Sequence, residues 1–128
     1  MIFSLLINSS PASATARNAL LFARATLDAG HRINRVFFFG DGALHANAFN
    51  APAGQTHCLG EDWSAMAATH QIDLIACVGS ALRNGIVDPA TAKRLGIDCS
   101  NVRAGFEVSG LGQLVDATVT ADRVISFG

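Results

Sequence analysis

The sequence predicts an α/β fold: one three-layer α/β/α domain over residues 1–128, built on a mostly parallel sheet of about five strands. Three observations carry this reading. Short apolar runs of strand length alternate with stretches of helical spacing, the order that crossover helices and a parallel sheet produce. Each run meets Gly, Ser, Asn or Asp at its end, residues that turn a chain. A chain of 128 residues is large enough for one proper core and too small for two.

The elements follow in order. Residues 2–7 (IFSLLI) read as a first buried strand, ended by Asn8, Ser9, Ser10 and Pro11. Ser13 can cap a helix over residues 14–29, with Ala16, Leu20, Ala23 and Leu27 on one face, and Gly30 stops it. Residues 33–39 form the second strand, closed by Gly40-Asp41-Gly42; a short helix over 43–49 and a loop over 50–60 containing Pro52 and Gly54 follow. A helix over 61–70 presents Trp63, Met66 and Ala67 as its buried side. The third strand, 72–78, breaks at Gly79-Ser80 and continues as a helical turn over 81–84 that ends at Gly85. Asp88 caps a helix with Pro89 at its first position, running to about Leu95 and closed by Gly96. A fourth strand at 106–108, a helix from the Ser109–Gly112 segment to about Ala117, and a fifth strand at 123–127 complete the chain.

Composition narrows the function. Only 15% of residues are charged, against roughly a quarter in an average domain, which suits a protein that covers part of its surface with other subunits. The nine basic residues are scattered and the net charge is −1, so no direct nucleic-acid interface is predicted. No apolar stretch approaches the roughly 18 residues of a membrane span, and no signal peptide is read at the start. Three widely spaced cysteines suit reduced thiols, and hence a cytoplasmic protein, better than a disulfide framework.

Candidate chemistry centres on residues 72–88, IDLIACVGSALRNGIVD. An apolar strand running into Gly-Ser and then a helix is where α/β proteins place their chemistry, at the carboxyl edge of the sheet. Cys77 lies at that edge, and helix N–H groups aimed at it favour a thiolate, the nucleophilic form. A free cysteine also serves as a small hydrophobe in a strand, and position alone does not choose between the two. Other chemistry fits less well. The hydroxyl-rich turn NSSPASAT has no glycine for close approach to a phosphate, and neither GxGxxG nor GxxxxGK[ST] occurs, so no cofactor is predicted. The histidines at 31, 45, 57 and 70 form no HxxxH, the cysteines at 58, 77 and 99 no CxxC, and His57-Cys58 is the one adjacent pair; no metal is predicted. A hydrolase triad using Cys77 and one histidine stays open without a local signature. Cys58 and Cys99 fall in expected loops, where either can be exposed, and Asp98 disfavours a thiolate at Cys99. A lone thiol at a sheet edge suits group carriage: it accepts a sulfane sulfur as a persulfide and a partner thiol takes it onward.

The run IDLIACVGSALRNGIVD, followed by AKRLGI, FEVSGLGQLVDA and DRVISF, and preceded by VFFFGDGALHANAF over 36–49, resembles the DsrE/TusD family of sulfur-relay proteins, closest to its TusD branch. The likeness covers essentially the whole chain in order. It implies an α/β sulfurtransferase subunit with a persulfide on the cysteine that ends the third strand, here Cys77. It implies TusB- and TusC-like partners in a heterohexamer, a TusA-like donor and a TusE-like acceptor, on the route to 2-thiolation of the tRNA wobble uridine. The DsrE branch implies sulfur oxidation instead, and a non-catalytic assembly subunit is the further alternative. Gly79, Ser80, Arg83, Asn47 and residues 109–112 match the family pattern. N–H groups around residues 79–81 are expected to stabilise the sulfur anion, with Arg83 adding positive charge.

Overall fold

The computed structural model describes residues 1–51, 54 and 58–128; Pro52 and His57 lie outside the described residues. The strands are β1 (Ile2–Ile7), β2 (Arg32–Phe38), β3 (Asp73–Cys77), β4 (Phe106–Ser109) and β5 (Arg123–Phe127). The helices are α1 (Ala14–Asp28), α2 (Leu59–His70), α3 (Val78–Arg83), α4 (Pro89–Leu95) and α5 (Gly112–Thr120), with a 3-10 helix at Gly40–Ala46. All strand pairs are parallel and the order is β4-β3-β2-β1-β5, the expected α/β architecture. No helix is long and apolar enough to cross a membrane among the described residues.

Strand alternation sorts the side chains onto two faces. Leu5 and Ile7, Val36 and Phe38, Leu74 and Ala76, and Phe106 form the larger core with Ala19, Leu20 and Ala23 of α1 and Trp63 and Met66 of α2. The opposite face holds Phe37, Ile75 and Cys77, with Leu6 and Leu114 packed against them, so α5 covers this side. Arg35 fastens α5 there. Its Nη1 donates to the Gln113 carbonyl and to Asp116, and its Nη2 to Asp73, each at 2.9 Å. Leu111, the cap of α5, and Val115 and Val119 within it, spaced by four residues, stay exposed.

The ends of the elements follow local chemistry. Ser13 accepts from the Thr15 N–H at 3.1 Å, and Gly30, just past α1, takes φ 86°. Asp88 accepts from the Thr91 N–H at 2.8 Å, as its capping position requires. The short helix expected over 43–49 is instead the 3-10 helix, which starts three residues earlier on Gly40. The Gly-Asp-Gly run that reads as a terminator therefore forms its first turn. Helix α2 begins at Leu59 rather than Glu61, because Cys58 occupies the cap without a side-chain bond and leaves no capping signal.

One glycine in that turn is required by close approach. A Cβ on Gly42 would collide with the carbonyl of Ile7, a backbone atom of β1, an interior strand, that cannot swing aside. Gly42→Ala is expected to destabilise the fold by about 2 kcal/mol, the range of overpacked cores, seen as a lower urea midpoint with an unchanged slope.

Candidate functional site

Cys77 is the last residue of β3, opposite Ser109 of β4. Its backbone (φ −60°, ψ 127°) is extended, and the next residue already belongs to α3, so Cys77 is itself the helix cap. The expected strand to Val78 and break at Gly79-Ser80 is corrected: Val78, Gly79 and Ser80 are the first residues of α3. The reason is the partner strand. β4 ends at Ser109, opposite Cys77, and no ladder remains for Val78, whose apolar side chain is 39% exposed. A helix leaves its first amides without intrahelical acceptors, and here those amides begin one residue after the thiol.

The thiol is free and its residue is 5% exposed among Phe37 and Ile75. The residues expected to support it take different roles. Gly79 lies in the first turn, and Arg83 Nε donates to its carbonyl at 3.2 Å, so the guanidinium folds back along its own helix. Ser80 is 2% exposed, and its Oγ accepts from the Gly40 N–H at 2.8 Å. The oxygen of its hydroxyl is thus tied to the turn after β2. Asn47 accepts from Asn101 Nδ2 at 3.1 Å, and its carbonyl receives Arg103 Nη2 at 2.8 Å, a brace between loops. In the Ser109–Gly112 segment, Ser109 neighbours Cys77 across the ladder and Gly112 opens α5.

Among the described residues no histidine joins Cys77. His31 precedes β2, with Nδ1 at 3.0 Å from the amino terminus, and His70 ends α2 just before β3; both sit at the amino edge of the sheet. His45 packs on Phe38, in the core on the other face, with ring centroids 5.2 Å apart. Its Nε2–H donates to the Ser9 carbonyl at 3.2 Å, and its buried Nδ1 has no partner. Burial pushes this imidazole down to about 4, opposed by the Ser9 bond and reinforced by the Arg103 charge. Cys58, expected in a loop where it can be exposed, is buried at the cap of α2; Cys99 is exposed. Leu59, the next residue, packs against the main core, which the loop-like sequence around it does not reveal.

A cavity of about 1250 Å³ opens between α1, the 3-10 helix and the start of α2, and Cys77 is not among its described lining residues. The fold therefore brings to the thiol an apolar recess, helix amides and a neighbouring strand end. Sequence reasoning singled out the segment of Ser109 through the family pattern, and strand order makes that residue the neighbour of Cys77; it missed Asn84, which joins this edge only through the contacts of its side chain with Gly40 and Ser80.

Comparison with known proteins adds what geometry does not carry. The DsrE/DsrF-like family matches residues 1–127. A relative from Enterobacter sp. (strain 638), named "Sulfurtransferase TusD", is 42% identical over 99% of this chain and 100% of its own. A relative from Allochromatium vinosum, named "Putative sulfurtransferase DsrE", is 40% identical over 100% of this chain and 99% of its own. The crystal structure of the ychN protein from E. coli superposes with a TM-score of 0.67 over 99% of both chains at 16% identity, a likeness of fold.

Proposed function

Because this chain belongs to the DsrE/DsrF-like family and its close relatives are named sulfurtransferases, we propose that it is a sulfur-relay subunit that carries a persulfide on Cys77. The observation that carries the proposal is the place of that residue: a free thiol at the carboxyl end of a central parallel strand, capping the helix that follows. In the step proposed, the Cys77 thiolate attacks the outer sulfur of a donor persulfide. The bond from Cys77 Sγ to that sulfur forms, the donor's S–S bond breaks, and the donor leaves as a thiolate. No net oxidation occurs, and the second transfer repeats the step towards an acceptor thiol. The amides of residues 79–81 face the negative charge of the carried sulfur, and Arg83 adds long-range positive charge.

A cysteine 5% exposed and outside the cavity is suited to reactants delivered by partner proteins at the sheet edge. The exposed apolar residues Leu111, at the cap of α5, and Val115 and Val119 within it supply a surface for TusB- and TusC-like subunits of a heterohexamer. The donor is a TusA-like carrier and the acceptor a TusE-like protein in the cytoplasm, with the sulfur bound for 2-thiolation of tRNA. Relatives named TusD and DsrE match the chain almost equally, at 42% and 40% identity, and the oxidative direction of DsrE is the alternative destination.

The test is to expose the protein to a low-molecular-weight persulfide and map the added mass. One added sulfur on the peptide containing Cys77 is expected. Sulfur found on Cys58 or Cys99 instead, or on none of the three in the assembled heteromer, would reject the proposal and leave the chain an assembly subunit.

A further inference from the structure

The geometry points to Asn84 as a positioning residue for the Cys77 thiol, a role that rests on Cys77 being the sulfur carrier. Asn84 caps the carboxyl end of α3, the helix that Cys77 starts. Its Nδ2 donates to the carbonyls of Ser80, at 2.8 Å, and of Gly40, at 3.3 Å. Ser80 Oγ accepts from the N–H of the same Gly40 at 2.8 Å. Both backbone polar groups of Gly40 are thus held by α3, and Gly40 has φ 58°, a left-handed turn that glycine adopts without strain.

What Gly40 follows gives this clamp its meaning. Phe39 still bonds β1, its N–H donating to the Ile7 carbonyl at 3.0 Å. It continues the β2–β3 register one step past the Phe38–Ala76 pair, which puts it in the row of Cys77. The edge around the thiol therefore has two walls, the end of β2 and the first turn of α3, and the clamp fixes their separation. The site asks for one nitrogen with two N–H donors aimed at two carbonyls, which asparagine supplies and neither alanine nor aspartate does. Closed, the clamp keeps the thiol recessed and leaves a fixed line of approach for a donor sulfur; released, it exposes the thiol and loses that alignment.

The experiment compares the full chain with Asn84→Ala and Asn84→Asp at pH 7.5, where each variant's folded fraction is checked first. Two rates are read, alkylation of Cys77 by iodoacetamide and single-turnover uptake of sulfur from a low-molecular-weight persulfide. Both variants should alkylate about fivefold faster and take up sulfur about tenfold more slowly, with the half-saturating donor concentration unchanged. Ser64→Ala, which removes the Ser64–Ala104 bond of 2.7 Å far from the edge, is the control for general loosening and should move neither rate. Variant rates within twofold of the parent, or the same pair of changes in Ser64→Ala, overturn the role. A parent protein that takes no sulfur on Cys77 overturns the relay itself, a result distinct from a parent that transfers beside an unaltered Asn84→Ala.

Discussion

Cys77→Ser is expected to reduce sulfur transfer to background, at least about 100-fold below the parent, equivalent to about 2.7 kcal/mol of barrier. The substitution exchanges one atom of similar size, so the recess formed with Phe37 and Ile75 remains filled. What is lost is the reaction: an alkoxide does not form at neutral pH, and a hydroxyl cannot accept and release a sulfane sulfur as a thiolate does. The fold should survive. A buried hydroxyl without a partner costs about 1–3 kcal/mol. At a helix cap, however, serine accepts from the amides of the first turn, which offsets about 1 kcal/mol of that. A thermal midpoint lowered by no more than a few degrees beside a null transfer assay is the expected pair. Retained transfer in this variant would move the chemistry to another thiol.

The second large effect concerns pH. His45 is neutral in the fold and held down to about 4, against 6.5 for an exposed histidine. Above pH 6.5 it is neutral both folded and unfolded, and contributes nothing to pH dependence. Between 6.5 and about 4 the unfolded chain takes up a proton that the folded chain refuses, so stability falls as the pH falls, by about 3 kcal/mol in all. Below about 4 both forms are protonated and the loss stops growing. Asp88, whose carboxyl is held below its ordinary value by the Thr91 hydrogen bonds, acts in a lower window, losing its contribution as pH falls past the ordinary carboxylate value. Urea unfolding at pH 7 and pH 4.5 separates the two. His45→Gln, which keeps a donor for the Ser9 carbonyl, should flatten most of the loss in that interval, whereas a variant with the parent's slope would show that His45 is not its source.

Much of this architecture could be read before any coordinates, and the reasons are local. Parallel strands buried on both faces appear as unbroken apolar runs, so β1, β2 and β3 and their carboxyl ends were legible, and Cys77 with them. Asp88-Pro89 and Ser13 announce helix starts through their own side chains. The errors fall where the deciding partner is remote in sequence. Val78 looks like strand because it is apolar and β-branched, and only the end of β4 at Ser109 removes it from the sheet. Cys58 looks like a loop residue because nothing in its side chain caps α2. Ser80 matched the family pattern of an active edge, yet the donor to its hydroxyl oxygen is Gly40, the first residue of the 3-10 helix after β2. Asn84 carried no signal at all, since its value lies in two carbonyls that tertiary folding brings to it.

The strand order has a consequence for how the protein is made. β1 lies between β2 and β5, and of these five strands β1 leaves the ribosome first and β5 last. Until residues 123–127 emerge, the nascent sheet carries an open edge along Ser4, Leu5, Leu6 and Ile7, a template for pairing with a neighbouring chain. A pause or truncation shortly before Arg123 would therefore leave that edge open and the chain strongly prone to aggregate.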